Sequence, residues 1–142
     1  MDILSRWLHI STAAIVVGGL VFARFVLMPA MQKLTEEHRA ILSEHIAKHL
    51  RPFSVASIIL LLVSGLYNFL LAMQGELDTR YHMIFGFKFL FATHLLAMFH
   101  IASSPSKGSA PDSAKRARLL TGGIISALIV LALGAYLRTL RG

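Results

Sequence analysis

Four long apolar runs, separated by shorter polar stretches, set the pattern of this chain. They extend over about residues 7–28, 53–73, 83–103 and 119–137. Each is roughly 20 residues long, which is the length of helix that crosses a hydrocarbon layer of about 30 Å. The alternation typical of half-buried strands is missing from these runs. The pattern predicts an all-α integral membrane four-helix bundle, formed by one transmembrane domain over residues 1–142.

The polar segment between the first two spans, residues 31–51, predicts a further element. Thr35 is followed by two glutamates, which is the pattern of a helix N-cap with acids in the first turn. We expect a short amphipathic helix outside the bilayer. Pro29 ends or kinks the helix before it. Pro52 suits the first turn of the second span, or marks a bend in one longer helix that includes the amphipathic part.

Composition supports a membrane protein and excludes several kinds of site. Of the 142 residues, 56% are hydrophobic and only 15% are charged, which is unusual for a soluble domain. The chain has no cysteine, so disulfides, thiolate metal sites and iron–sulfur clusters are excluded. The net charge of +7 suggests anionic membrane lipid as a partner, and no nucleic acid is expected. A signal peptide is not predicted.

The basic residues predict an orientation, because cytoplasmic loops are enriched in lysine and arginine. Nine lie on one side of the predicted spans and four on the other. We therefore expect an inner, cytoplasmic-membrane protein with both termini outside. The nine are Arg24, Lys33, Arg39, Lys48, Arg51, Lys107, Lys115, Arg116 and Arg118, and the four are Arg6, Arg80, Arg138 and Arg141.

Ionisable side chains inside the spans are the first candidates for function, because they are costly to place in a membrane. His9 and Lys88 lie at a similar outer depth on the first and third spans. His94 is expected about 9–12 Å deeper, at about 1.5 Å per helical residue. His100 and Arg24 lie near the cytoplasmic face. Lys88 also has a simpler interpretation, in which it extends to the outer headgroups.

A second group of histidines lies in the amphipathic segment. His38, His45 and His49 share one helix face, because they are spaced by seven and four residues. His45 and His49 are expected near the level of His100, so the sequence predicts an inner cluster of these three. His38 is interpreted as a solvated histidine. His82, at the edge of the third span, is interpreted as an interfacial one.

Histidines at these positions predict a haem or metal site. Imidazole is a common axial ligand of haem iron, and helical bundles build cofactor sites from facing side chains. Lys88 or Arg24 could pair with haem propionates. Glycines in the spans would let a flat macrocycle approach the backbone, although small residues more often serve helix packing. The predicted ligands of haem iron are His9, His94, His100, His45 and His49.

Several short motifs resemble a known family. The chain is similar to the four-helix membrane proteins around the HemJ-type protoporphyrinogen oxidases and the related CopD-type copper-resistance domain. The resemblance implies b-type haem bound through His9, with functional or catalytic roles for Arg24 and Lys88. It rests on Trp7-Leu8-His9-Ile10, Gly18-Gly19, Arg24, Phe87-Lys88-Phe89 and His100.

Three functional hypotheses remain open from the sequence. The first is a membrane-embedded, electron-transferring protein with one or two b-type haems, whose redox partner is a quinone or a porphyrin. The second is an oxidoreductase that acts on protoporphyrinogen. The third is a copper-binding membrane protein that uses His9, His45, His49 and His100 as metal ligands, with methionines as soft ligands near the membrane surfaces. A homodimer is expected from the glycine- and alanine-rich faces of the first and fourth spans.

Overall fold

A computed structural model describes residues 3–75, 79–103 and 113–139 of the chain. It has four helical segments that are long and apolar enough to cross a membrane. The protein is therefore a multi-pass membrane protein with an all-α, four-helix architecture, as the apolar runs predict. Its elements are α1 (Ile3–Phe22), a π-helical turn (Ala23–Leu27), α2 (Met28–Gln32), α3 (Glu36–Ala72), α4 (Thr79–Ser103) and α5 (Ser113–Thr139).

The amphipathic segment is not a separate short helix, because it continues into the second span as α3. Thr35 caps this helix as predicted, since its side chain accepts a hydrogen bond from the main-chain N–H of His38. Pro52 lies inside α3, which confirms the alternative of one longer helix that includes the amphipathic part. The 37 residues of α3 span about 55 Å, well beyond a hydrocarbon layer of about 30 Å. The polar first half therefore extends out of the membrane on the same helix.

Pro29 does not end the first transmembrane segment, but a π-helical turn precedes it. A proline ring clashes with the carbonyl of the residue four positions earlier, here Phe25, in a regular α-helix. Phe25 lies within the wider turn Ala23–Leu27, and the helix then resumes with Pro29 in the first turn of α2. We attribute the π-helical turn to this proline, because it gives the ring room without breaking the helix.

The last two helices begin earlier than the apolar runs do. The third starts at Thr79 rather than near residue 83, and the fourth at Ser113 rather than near residue 119. The difference has a simple cause. Apolar runs measure the thickness of the hydrocarbon layer, whereas backbone hydrogen bonding carries a helix through the polar headgroup region until a cap or breaker ends it.

The interior is a narrow apolar seam shared by all four spans. Val16 and Leu20 of α1 are fully buried in it, with 0% and 1% of their surface exposed. They pack with Leu61 of α3, Leu96 of α4 and other apolar residues. Many large apolar side chains point outward instead, among which are Trp7, Ile15, Phe25, Leu66, Phe89 and Leu128. Such an outward apolar surface fits contact with lipid.

Glycines on α5 bring the helices close together, whereas those on α1 do not. A Cβ atom added at Gly123 would lie 3.4 Å from Cδ1 of Leu20 and 3.5 Å from Cβ of Met98. Gly134 lies against the side chain of Lys88 on α4. A Cβ at Gly18 would meet nothing within 4 Å. The α5 glycines are therefore used inside the bundle, as in other close helix contacts in membranes.

Replacing Gly123 with leucine should open the contact between α1, α4 and α5. There is room for a Cβ atom but not for the branched end of a leucine, so we expect Gly123→Leu to lower the free energy of unfolding by about 1–3 kcal/mol. Gly18→Leu is the matched control, with the same gain in helix propensity and open space around it. Unfolding in mixed micelles, followed by circular dichroism, measures both. Equal stability of the two variants would contradict this packing.

Candidate functional site

His9 of α1 lies against α3 through a specific polar contact. Its Nδ1 is 2.8 Å from the hydroxyl oxygen of Ser64, a buried serine in the middle of an apolar span. Gly65 makes this approach possible, because a Cβ atom there would lie only 3.2 Å from Cε1 of His9. The imidazole is thus half-buried and is held edge-on to the backbone of α3.

Lys88 of α4 completes a site to which all four spans contribute. Its half-buried side chain crosses Gly134 of α5, where an added Cβ would lie 3.6 Å from Nζ. The ammonium group is also close enough to His9 to interact with it electrostatically. We call the group of His9, Ser64, Gly65, Lys88 and Gly134 the outer site. It joins a nitrogen base and a cation within the membrane.

Within the described ranges, no carboxylate lies near the outer site. The described acids are Glu36, Glu37 and Glu44, all in the first part of α3. Glu44 and Ser64 are separated by about 20 residues of helix, which is about 30 Å. A lysine in a membrane span is normally paired or faces a polar cavity. Among the residues described, the Lys88 ammonium is therefore available to an anionic group of a ligand.

Asn68 adds an unusual polar atom on the same helix. Its Oδ1 is buried, and no donor among the described residues reaches it. Asn68 lies one turn beyond Ser64 on α3, so both occupy the same helix face. Buried acceptors are nearly always hydrogen-bonded. An unpaired one at this level of the bundle is consistent with a ligand that supplies a donor.

Two further histidines contact serines of neighbouring helices, at other depths. Nδ1 of His94 lies 2.8 Å from the hydroxyl of Ser126 on α5. Nδ1 of His100 lies 3.3 Å from the hydroxyl of Ser54 on α3. Since His94 is six residues beyond Lys88 on α4, it lies about 9 Å deeper than the outer site, near the distance expected from the sequence. His100 lies deeper again, toward α2 and the start of the α3 span.

Arg24 lies far from Lys88, although both are predicted catalytic residues. The π-helical turn presents Arg24 to α5, where its Nε donates to the hydroxyl of Thr121 at 3.1 Å. Its guanidinium carbon lies 5.6 Å from the ring centre of Phe25. Arg24 is 15 residues from His9 along the first span, or about 22 Å. The two cations therefore do not share one site.

The predicted inner cluster does not form as a three-residue group. The rings of His45 and His49 are stacked with centres 6.2 Å apart, and Nδ1 of His49 donates to the carbonyl of His45 at 3.0 Å. Both side chains are exposed, whereas His100 is turned toward Ser54. Across residues 3–75, 79–103 and 113–139, no three histidine or acidic side chains gather closely enough to hold a metal ion.

The remaining two histidines are exposed and have local contacts. Nδ1 of His38 lies 2.6 Å from the Thr35 hydroxyl at the cap of α3. The His82 ring meets Phe69 and Tyr81 edge to face. Neither belongs to the outer site.

An apolar groove of about 270 Å³ lies between α3 and α4. His100 and Thr93 are the polar residues of its lining, and the others are Ile58, Leu62, Leu96 and Ala97. The groove is on the His100 side of the bundle. It is distinct from the outer site.

The partners of the membrane histidines are not found by looking for ionisable residues alone. Ser54, Ser64, Ser126 and Thr121 are uncharged and are common in transmembrane helices. A signal for two of them does exist in the sequence. Ser54, Ser57, Leu61 and Ser64 follow spacings of three and four, so three hydroxyls share one face of an otherwise apolar span. Because a buried imidazole needs a polar partner, that face is where such partners are expected.

Comparison with family models, curated proteins and solved structures finds no match to this chain. The function must therefore be inferred from the side chains themselves. The outer site is the strongest basis, because it combines a histidine, a cation without a described acidic neighbour and two glycines.

Substituting Gly65 tests whether His9 is seated against α3. An alanine normally stabilises a helix over glycine by about 0.5–1 kcal/mol. Gly86→Ala should show this gain, because nothing lies within 4 Å of its added Cβ. Gly65→Ala should show little or none of this gain in stability, because the His9 ring must move by a few tenths of an ångström to admit the new Cβ atom. The same movement should shift the His9 ring resonances in NMR spectra. Equal gains with unmoved His9 resonances would contradict the contact.

Proposed function

We propose that the protein is a membrane-embedded redox protein that binds b-type haem at the outer site, with His9 as an axial ligand. The observation that supports this most is the orientation of the His9 ring. Its Nδ1 is directed to Ser64, so Nε2 is the nitrogen left for an iron. Histidines that bind metals are usually held in this way, with the second nitrogen bonded to the protein.

The other residues of the outer site suit the same cofactor. Lys88 is the cation that would pair with a haem propionate. Gly65 and Gly134 keep the walls beside His9 and Lys88 free of side chains. Haem bound there supplies reversible one-electron oxidation and reduction. The residues of the outer site would hold and orient the cofactor.

One haem is assigned, at the outer site. His94 lies about 9–12 Å deeper and has Ser126 as its own partner, so it does not face His9 at one iron. His45 and His49 are exposed and are separate from His100. No second haem is therefore assigned to the cytoplasmic side. Copper binding stays the alternative, with histidines and methionines as its ligands.

The spectrum of the purified protein tests the haem proposal. When it is expressed with ample haem, we expect a Soret band and a pyridine haemochrome of b type at about one haem per chain. His9→Ala should remove most of the band, whereas His38→Ala, at an exposed site, should keep it. Lys88→Ala should weaken haem retention, and Lys88→Arg should restore part of it, because the charge is kept. A colourless wild-type protein would reject haem, and copper binding would then be measured.

We also propose that the outer site faces the periplasm or cell exterior, with both termini outside and the α2–α3 connection in the cytoplasm. The support is the basic excess near that connection, which includes Lys33, Arg39, Lys48 and Arg51. Lys107 and Arg141, which also enter the count, lie outside the described residues.

Single cysteines test this orientation cleanly, because the chain has none of its own. Gln74→Cys lies just beyond the C-terminal end of α3 and should react with a membrane-impermeant maleimide in intact cells. Glu44→Cys, in the extended first half of α3, should react only after the cells are opened. Both positions are exposed, so a difference in labelling between the two cysteines reports the side of the membrane on which each lies. The reverse labelling would overturn the orientation.

A further inference from the structure

Ser64 makes three polar contacts, to Nδ1 of His9 and to the carbonyls of Leu60 and Leu61, and the shorter of the two carbonyl contacts determines where its proton lies. Its hydroxyl oxygen is 2.6 Å from the carbonyl oxygen of Leu60, one turn earlier in α3. A carbonyl oxygen has no proton to offer, and two oxygens this close need a hydrogen between them. The Ser64 hydroxyl is therefore the donor to Leu60.

That donation determines the role of His9 in its contact with Ser64. Ser64 has one hydroxyl proton, and the Leu60 carbonyl receives it. The same oxygen, 2.8 Å from Nδ1 of His9, must then accept. Nδ1 consequently carries a proton. A neutral imidazole has only one N–H, so its Nε2 holds a free electron pair.

We infer that Ser64 is a positioning residue, which fixes His9 as the Nδ1–H tautomer and keeps its Nε2 electron pair ready to bind a metal. The tautomer is inferred from the contacts of Ser64, whereas its purpose rests on the proposed haem site. Iron ligation requires an unprotonated nitrogen, and the bond made by the other nitrogen selects which one that is. Gly65 assists, because it lets the ring lie close enough to α3 to reach Ser64.

The His94–Ser126 pair provides a comparison within the same molecule. Its nitrogen-to-oxygen distance is also 2.8 Å. Among the described residues, however, Ser126 has His94 as its hydrogen-bond partner and donates to no carbonyl. Its hydroxyl can therefore donate or accept, and the pair does not fix a tautomer. Of these two histidines, His9 is the one whose tautomer is fixed, because the hydroxyl proton of its serine partner is donated to a carbonyl.

Nitrogen-15 NMR of haem-free protein in nanodiscs tests the tautomer directly. The spectrum is recorded near pH 8, above the ordinary histidine pKa of about 6.5, and the His9 signals are assigned with His9→Gln. We expect a protonated Nδ1 and an unprotonated Nε2. Ser64→Ala should release this preference and give a mixed or Nε2–H ring. A wild-type His9 with its proton on Nε2 would overturn the inference.

Two further variants separate positioning from simple loss of structure. Ser64→Thr should keep the Nδ1–H tautomer, because a threonine hydroxyl also bonds the carbonyl one turn earlier. Ser126→Ala removes an equivalent interhelical bond and should leave the His9 tautomer unchanged. If Ser126→Ala changes the His9 ring as much as Ser64→Ala does, the effect is general loosening of the bundle and the inference is wrong.

The haem-loaded protein gives the second readout. Ser64→Ala should bind haem about 10- to 100-fold more weakly, as is usual when the partner of a metal-binding histidine is lost, and should shift its reduction potential. Ser64→Thr should restore both. A colourless wild type whose His9 is the Nδ1–H tautomer would reject the haem proposal and keep the tautomer. A red wild type whose haem-free form carries the His9 proton on Nε2 would keep the haem proposal and reject the tautomer.

Discussion

Hydrogen bonds between helices are the interaction on which this bundle depends. In hydrocarbon, an imidazole or guanidinium that lacks a partner is costly, and lipid offers none. His9 bonds to Ser64, His100 to Ser54, and His94 to Ser126, so each transmembrane helix is joined to the next one in the chain. Arg24 and Thr121 join the first helix to the last. Each such bond contributes only about 0.6 kcal/mol on average in a membrane, but each is directional.

Directionality matters here because apolar packing alone specifies the arrangement weakly. Lipid tails are as apolar as leucine, so a helix gains little from turning one apolar face or another inward. The rotation of α1 is instead set by where His9 meets Ser64. Lys88 and Gly134 are then at the correct level to complete the outer site. The bonds that hold the fold and the residues that form the site are therefore partly the same groups.

Much of this architecture is readable from the sequence, and the gaps have physical causes. Apolar runs identify the four spans, and Thr35 with its acids marks the start of α3. Pro52 left open a helix boundary or one longer helix, because a proline removes only one hydrogen bond from a helix that is otherwise well supported. Depth alone placed His9 and Lys88 at one level, since axial rise is regular. It could not show that His100 turns to Ser54 and away from His45 and His49, because rotation about a helix axis depends on partners in other helices.

The π-helical turn has a consequence for how the first segment tolerates length changes. That segment is attached at two points, at His9 near one end and at Arg24 near the other. Each residue added to or taken from an α-helix rotates the rest of the helix by about 100°. The wide turn at Ala23–Leu27 takes up additional backbone without that rotation being passed on to α2. A residue deleted from α1 between His9 and Arg24, where the helix is regular, would instead rotate one of these two side chains by about 100° and turn it away from its partner.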